Sequence, residues 1–126
     1  DYSQPARVDS IRGGFFMIRR ETMEKIGLLD ERYFLWYEEV DYCLRIKKSG
    51  GQVWYMPAAK CVDYVGQSFS QVKRGVTQRY FRDSMLKYFK KWHPSWQYYI
   101  LKTAWPMGML IAKIADLFKL NSEAKT

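Results

Sequence analysis

The sequence predicts an α/β fold of fragmentary, α+β-like character: a few short strands with helices, followed by two long C-terminal helices. Three observations carry that reading. The β-prone runs are too few and too short to make a self-sufficient sheet. Two helices of moderate length, each closed by glycine, stand between them. From about Ser70 onward the apolar spacing turns helical and stays so nearly to the end.

In chain order, Val8 to Ile18 (VDSIRGGFFMI) is predicted extended, with Gly13 and Gly14 forcing a bulge or a close backbone approach. Glu21 to Ile26 has helix formers and stops at Gly27. Leu28 to Trp36 is an irregular, aromatic-rich loop. A second helix runs from about Glu38 to Ser49: acids at its start and Arg45, Lys47 and Lys48 at its end both suit the helix dipole. Val40, Cys43, Leu44 and the Lys47 stem form its expected apolar face, and Asp41 and Arg45 stand i,i+4 as a pair that orients the helix. Gln52 to Met56 and Lys60 to Val65 are two short strands. Ser70 to Trp92 is one amphipathic helix with Val72, Val76, Tyr80 (or Arg79), Met85, Tyr88 and Phe89 along its stripe. His93-Pro94 ends it, with His93 a cap or surface residue, and a last helix reaches about Leu120 with a break or kink near Pro106. The expected division is 1–69, the site-bearing half domain, and 70–126, a basic aromatic-rich helical extension.

Composition narrows the function classes. The 126 residues allow one modest core, and 48% hydrophobic with 27% charged residues describes a globular chain. Aromatics make up 17%, which suits core packing, sugar stacking or a membrane interface. The net charge of +8 is concentrated in Lys73, Arg74, Arg79, Arg82, Lys87, Lys90 and Lys91, opposed there only by Asp83. Such a segment suits an anionic membrane surface or a packed helix; nucleic acid is disfavoured because no recognition motif accompanies the charge. Cys43 and Cys61 form no CxxC, so two reduced, packed thiols of a cytoplasmic protein are expected rather than a disulfide or zinc site. No signal peptide opens the sequence and no initiator Met precedes Asp1, which suggests a processed or excised piece. No run reaches the roughly 20 apolar residues of a spanning helix; Thr103 to Ala112 is the nearest and suits an interface.

The densest signal is residues 13–68, GGFFMIRRETMEKIGLLDERYFLWYEEVDYCLRIKKSGGQVWYMPAAKCVDYVGQS. This linked set resembles the C-terminal half of family 2 glycosyltransferases of the GT-A type, especially the rhamnosyltransferase-like bacterial members. Their pattern joins a Gly-rich strand, a hydrophobic-Arg-Arg turn, Leu/Phe-Asp-Glu, Glu-Asp-x-Asp-Leu-Cys-x-Arg, Tyr-x-Pro and His-x-x-Gly-x-Ser. The resemblance implies an inverting transfer of a sugar from a nucleotide-sugar to a cell-envelope polysaccharide or lipid-linked acceptor. A carboxylate then serves as proton acceptor for the attacking hydroxyl.

That base maps onto Glu39, where the pattern has Asp, with Glu38 and Asp41 beside it as further catalytic candidates. Acids at a helix start also stabilise the dipole without any catalytic role. Gly13, Gly14, Phe34, Trp36, Tyr37 and Arg45 are the substrate-binding candidates, although the aromatics serve equally as core. Asp63 replaces the pattern's His and is the metal candidate, since a carboxylate ligates Mg²⁺ or Mn²⁺; a solvated loop residue is the alternative.

A divalent metal is expected only in a complete enzyme, because the nucleotide-binding half and its Asp-x-Asp are not among these residues. The chain alone is expected not to turn over. Its expected partners are that missing half or another copy of itself, paired through an open sheet edge into a homo-oligomer, a glycan or lipid-linked acceptor, and the inner face of a bacterial membrane, where the protein would be peripheral. The alternatives are a non-catalytic oligomeric binding or scaffold module derived from that fold, or a basic membrane-surface-binding protein.

Overall fold

The computed structural model describes residues 3–62 and 74–123. Their element order is β1 (Ala6–Arg7), a 3₁₀ turn (Gly13–Phe15), α1 (Arg20–Ile26), α2 (Glu38–Lys48), β2 (Trp54–Tyr55), α3 (Arg74–Trp92) and α4 (Ser95–Glu123). This is a mixed helical chain with one small sheet, compatible with an α/β fragment. It divides into two compact units, Asp1–Met85 and Leu86–Thr126. The expected division at 69/70 falls outside the described residues.

In the first unit, β1 and β2 pair antiparallel with Ala6 opposite Tyr55 and Arg7 opposite Trp54. The Val8 N–H extends the pairing to the Val53 carbonyl at 3.0 Å. The predicted extended run joins the ladder at its first residue, and the glycine pair turns the chain into the 3₁₀ segment instead of a bulged strand. The Gln52–Met56 strand shrinks to two residues. Of the predicted Lys60–Val65 strand, residues 60–62 are irregular and the rest lie outside the described residues.

The core lies between this ribbon and α2. Tyr42, Cys43, Ile46 and Val53 are buried, and Val8, Ile11, Phe16, Ile18 and Ile26 pack against them. Phe16 meets the Tyr42 ring edge-on at 6.1 Å. The buried face of α2 is thus Asp41, Tyr42, Cys43 and Ile46, rotated from the expected Val40–Cys43–Leu44 face. Tyr42 and Ile46, one turn apart, set its direction, and a paired acid travels inward with them. α1 ends as expected at Gly27, whose φ of 78° suits glycine and whose N–H returns to Met23. Gly51 is dictated by packing: a Cβ there would lie 2.7 Å from Cγ2 of Ile46. The Cys43 thiol is buried, and burial pushes its pKa up. Cys61 is free and exposed, not packed as expected.

The second unit holds the end of α3 and all of α4. His93 donates its backbone N–H to Phe89 and stacks on that ring at 4.4 Å, so it closes the helix end as expected. α4 runs through Pro106 without the break the sequence suggested. Proline removes one donor, the one that would reach the Lys102 carbonyl, and the flanking turns carry the helix past it. Among the described residues, no helix is long and apolar enough to cross a membrane.

Candidate functional site

The approach to α2 is conformationally unusual. Trp36 and Tyr37 both have positive φ, 60° and 71°. Bulky L-residues avoid this region, and each such residue costs about 1–3 kcal/mol unless its surroundings hold it. Here α3 holds it. The Ser84 hydroxyl, on a residue only 2% exposed, donates to the Leu35 carbonyl at 2.7 Å. Phe81 takes both rings, Trp36 at 5.8 Å and Tyr37 at 5.7 Å, while Phe34 packs on Tyr80 at 4.8 Å. Trp36 and Tyr37 are half-buried in this cluster; Phe34 remains 74% exposed. Of the two roles open to these aromatics, packing is the one seen for Trp36 and Tyr37, while Phe34 keeps a free face.

Two groups of acids follow in the first turn of α2. Asp41 is fully buried. One of its oxygens accepts the Tyr33 hydroxyl at 3.3 Å and the other accepts Arg45 Nε at 3.1 Å. Arg45 spends its remaining donors on backbone: Nη1 reaches the Ile26 carbonyl at 2.8 Å and Nη2 the Leu28 carbonyl. Its guanidinium also lies 4.7 Å over the Tyr42 ring, and the Tyr42 hydroxyl donates to the Gly27 carbonyl at 2.9 Å. This hub ties the end of α1 to α2. Burial and the adjacent Asp41 charge push the Tyr33 phenol well above its usual range. Asp41 is wholly buried and Arg45 is engaged, so the two orient the helix, the pairing their spacing suggested.

Glu38 and Glu39 differ. Both are half-buried, and each has one buried carboxylate oxygen, Oε2, without a hydrogen-bond partner. Buried polar atoms are nearly always paired, so two such oxygens on adjacent residues single out this pair as the candidate site. Glu39 lies against the 3₁₀ turn: a Cβ on Gly13 would sit 3.9 Å from its Cβ and 4.0 Å from its carboxyl carbon. These are ordinary contact distances, so the turn lies directly beside the Glu39 side chain. Burial raises the pKa of Glu38, its own backbone N–H opposes that rise, and the neighbouring Glu39 charge adds to it. The pair thus combines a carboxyl that holds its proton more firmly than usual with an adjacent carboxylate. Chemically it can accept a proton from a hydroxyl and hydrogen-bond a polar ligand.

The structure brings Gly13, Glu38 and Glu39 together and places Phe34, Trp36 and Tyr37 at the approach. Gly14 belongs to the same 3₁₀ turn. Asp63 lies outside the described residues. Among the described residues no cluster of three or more His, Cys, Asp or Glu side chains is arranged to hold a metal ion. Ser84 and Phe81, which fix the approach, were not foreseen from sequence. Their signal was present: Phe81 and Ser84 are i,i+3 on the face that also carries Tyr80 and Tyr88.

The sequence is similar to several curated sugar transferases. Rhamnosyltransferase WbbL of Escherichia coli is 32% identical over 57 residues, 45% of this chain and 22% of that protein. The low-salt glycan biosynthesis hexosyltransferase Agl10 of Haloferax volcanii is 39% identical over 41 residues, 32% of this chain and 13% of that protein. The N-acetylglucosaminyl-diphospho-decaprenol L-rhamnosyltransferase of Mycobacterium tuberculosis is 33% identical over 58 residues, 46% of this chain and 19% of that protein. The matches therefore span between 13 and 22% of these relatives' lengths. No family model and no solved structure matches the chain. The relationship is to glycosyltransferases as a class, and it extends over less than half of this sequence.

Proposed function

We propose that this chain is the acceptor-side portion of an inverting glycosyltransferase of family 2 and GT-A type, in which Glu39 is the base. The observation that carries the proposal is the half-buried Glu38–Glu39 pair, each with an orphaned oxygen, beside Gly13, in a chain related to sugar transferases. Glu39 takes the proton as the acceptor's O–H bond breaks. The hydroxyl oxygen forms its bond to the anomeric carbon, and the bond from that carbon to the phosphate oxygen breaks. The nucleoside diphosphate leaves with the electron pair. Glu38, beside it, offers a second carboxyl group for hydrogen bonding to acceptor or product.

The acceptor is a cell-envelope polysaccharide or a lipid-linked glycan, and the exposed face of Phe34 offers a stacking surface for its sugar ring. The donor-binding half is supplied by other polypeptide. The relatives' names support sugar transfer in general, and the replacement of Asp by Glu at position 39 keeps the carboxylate while extending its reach by one methylene.

The test is Glu39→Gln in the complete protein, with release of nucleoside diphosphate as readout. Loss of the base is expected to lower kcat by about 10²–10⁴-fold with little change in KM. Turnover equal to wild type would remove Glu39 from the role.

A further inference from the structure

α4 presents two unlike faces. Tyr98, Leu101, Trp105 and Met109, three or four residues apart, are half-buried. On the opposite side Trp96, Tyr99, Ile100, Met107, Leu110 and Ile111 recur at helical spacing and are each 54–65% exposed. The face extends about 22 Å from Trp96 to Ile111 at the helical rise per residue. Within this face the Thr103 hydroxyl is internally satisfied, donating to the carbonyls of Tyr99 and Ile100 at 2.9 and 3.0 Å. The Trp96 N–H and Tyr99 O–H are then its polar tips on an otherwise apolar surface, and a contiguous apolar surface of this kind marks an interaction site.

Charge selects the occupant. Between residues 86 and 111 the chain carries Lys87, Lys90, Lys91 and Lys102 and no acidic residue. A second copy docking there would bring like charges together; an anionic bilayer would neutralise them. The exposed Lys102 ammonium lies 5.7 Å from the Tyr98 ring, to one side of the apolar face, where a lysine reaches headgroups while its stem covers apolar surface. Trp96 and Tyr99 are residues suited to the level between headgroups and acyl chains.

We propose that the exposed face of α4 binds an anionic lipid bilayer, the helix lying in the plane of the interface with Lys102 and the lysines of the last turns of α3 toward the headgroups. The helix lies on the membrane and does not span it. This inference stands independently of the transferase reading, because none of its residues belongs to the Glu38–Glu39 site.

The test uses the full chain and vesicles of phosphatidylcholine alone or with one part in about three of phosphatidylglycerol. Co-sedimentation with the anionic vesicles is expected, with a blue shift of Trp emission that Trp96→Phe reduces. Ile100→Gln combined with Met107→Gln is expected to lower partitioning by about tenfold or more at unchanged helical circular dichroism. Each of Lys87→Gln, Lys90→Gln and Lys91→Gln is expected to lower it about fivefold on anionic vesicles only. Failure to bind either vesicle overturns the proposal. So does binding that the glutamine pair leaves unchanged, or a dimer that the glutamine pair dissociates in a protein that ignores lipid.

Discussion

Within one turn of α2, Asp41 and the Glu38–Glu39 pair are the same chemistry put to opposite uses. Asp41 faces inward, has no exposure, and every oxygen is matched by Tyr33 or Arg45. Glu38 and Glu39 sit a turn earlier, half-buried, each with an oxygen left unmatched. The dipole favours all three equally, so position at a helix start does not distinguish them. What distinguishes them is whether the protein itself completes their hydrogen bonding. A satisfied buried acid serves as scaffold, whereas an unsatisfied one keeps an acceptor to spare.

The contrast is open to direct attack by mutation. The largest expected effect is at the hub: Asp41→Ala leaves the Arg45 guanidinium without its anion in a confined site and should cost about 3 kcal/mol in urea unfolding. Tyr42→Phe removes only the hydroxyl bond to Gly27 and should cost about 1 kcal/mol by the same measurement. A Tyr42→Phe loss as large as that of Asp41→Ala would erase the distinction between ionic hub and ordinary packing.

The smallest effect is at the glutamates and carries a sign. Glu38 has a folded-state pKa above its ordinary value of 4.5, so its contribution favours the fold below that value and is lost as pH rises through the raised pKa. Glu38→Gln should therefore be as stable as wild type, or more stable by roughly 0.5 kcal/mol or less at neutral pH, since solvent screens a half-buried group. The wild-type-minus-variant difference should fall as pH rises from below about 4.5, followed by unfolding at several pH values. An Asp41-like collapse of stability in Glu38→Gln would show that this acid, too, is scaffold.

Much of this was legible in the sequence because it is local. Helix α2, its glycine stop and the Asp41–Arg45 spacing are set by residues within a turn or two of each other. The acids at the helix start stood out for the same reason. What was illegible depends on distant partners. The buried face of α2 was misjudged because polar Asp41 lies inside, and only Tyr33, eight residues earlier, and Arg45 together make that tolerable. The glycine pair read as a bulged strand because a 3₁₀ turn and a bulge share the same composition cue. The exposure of Cys61 and the passage of α4 through Pro106 depend on surroundings that a single sequence does not display.

The left-handed pair Trp36–Tyr37 has a consequence for synthesis. Its conformation is secured by Ser84, 49 residues further along from Leu35. While the ribosome is still making α3, the hub of α1 and α2 already has all its partners, but the turn leading into Glu38 has none of its clasps. A nascent chain therefore has every partner of the hub before it has the clasp that sets the turn into Glu38.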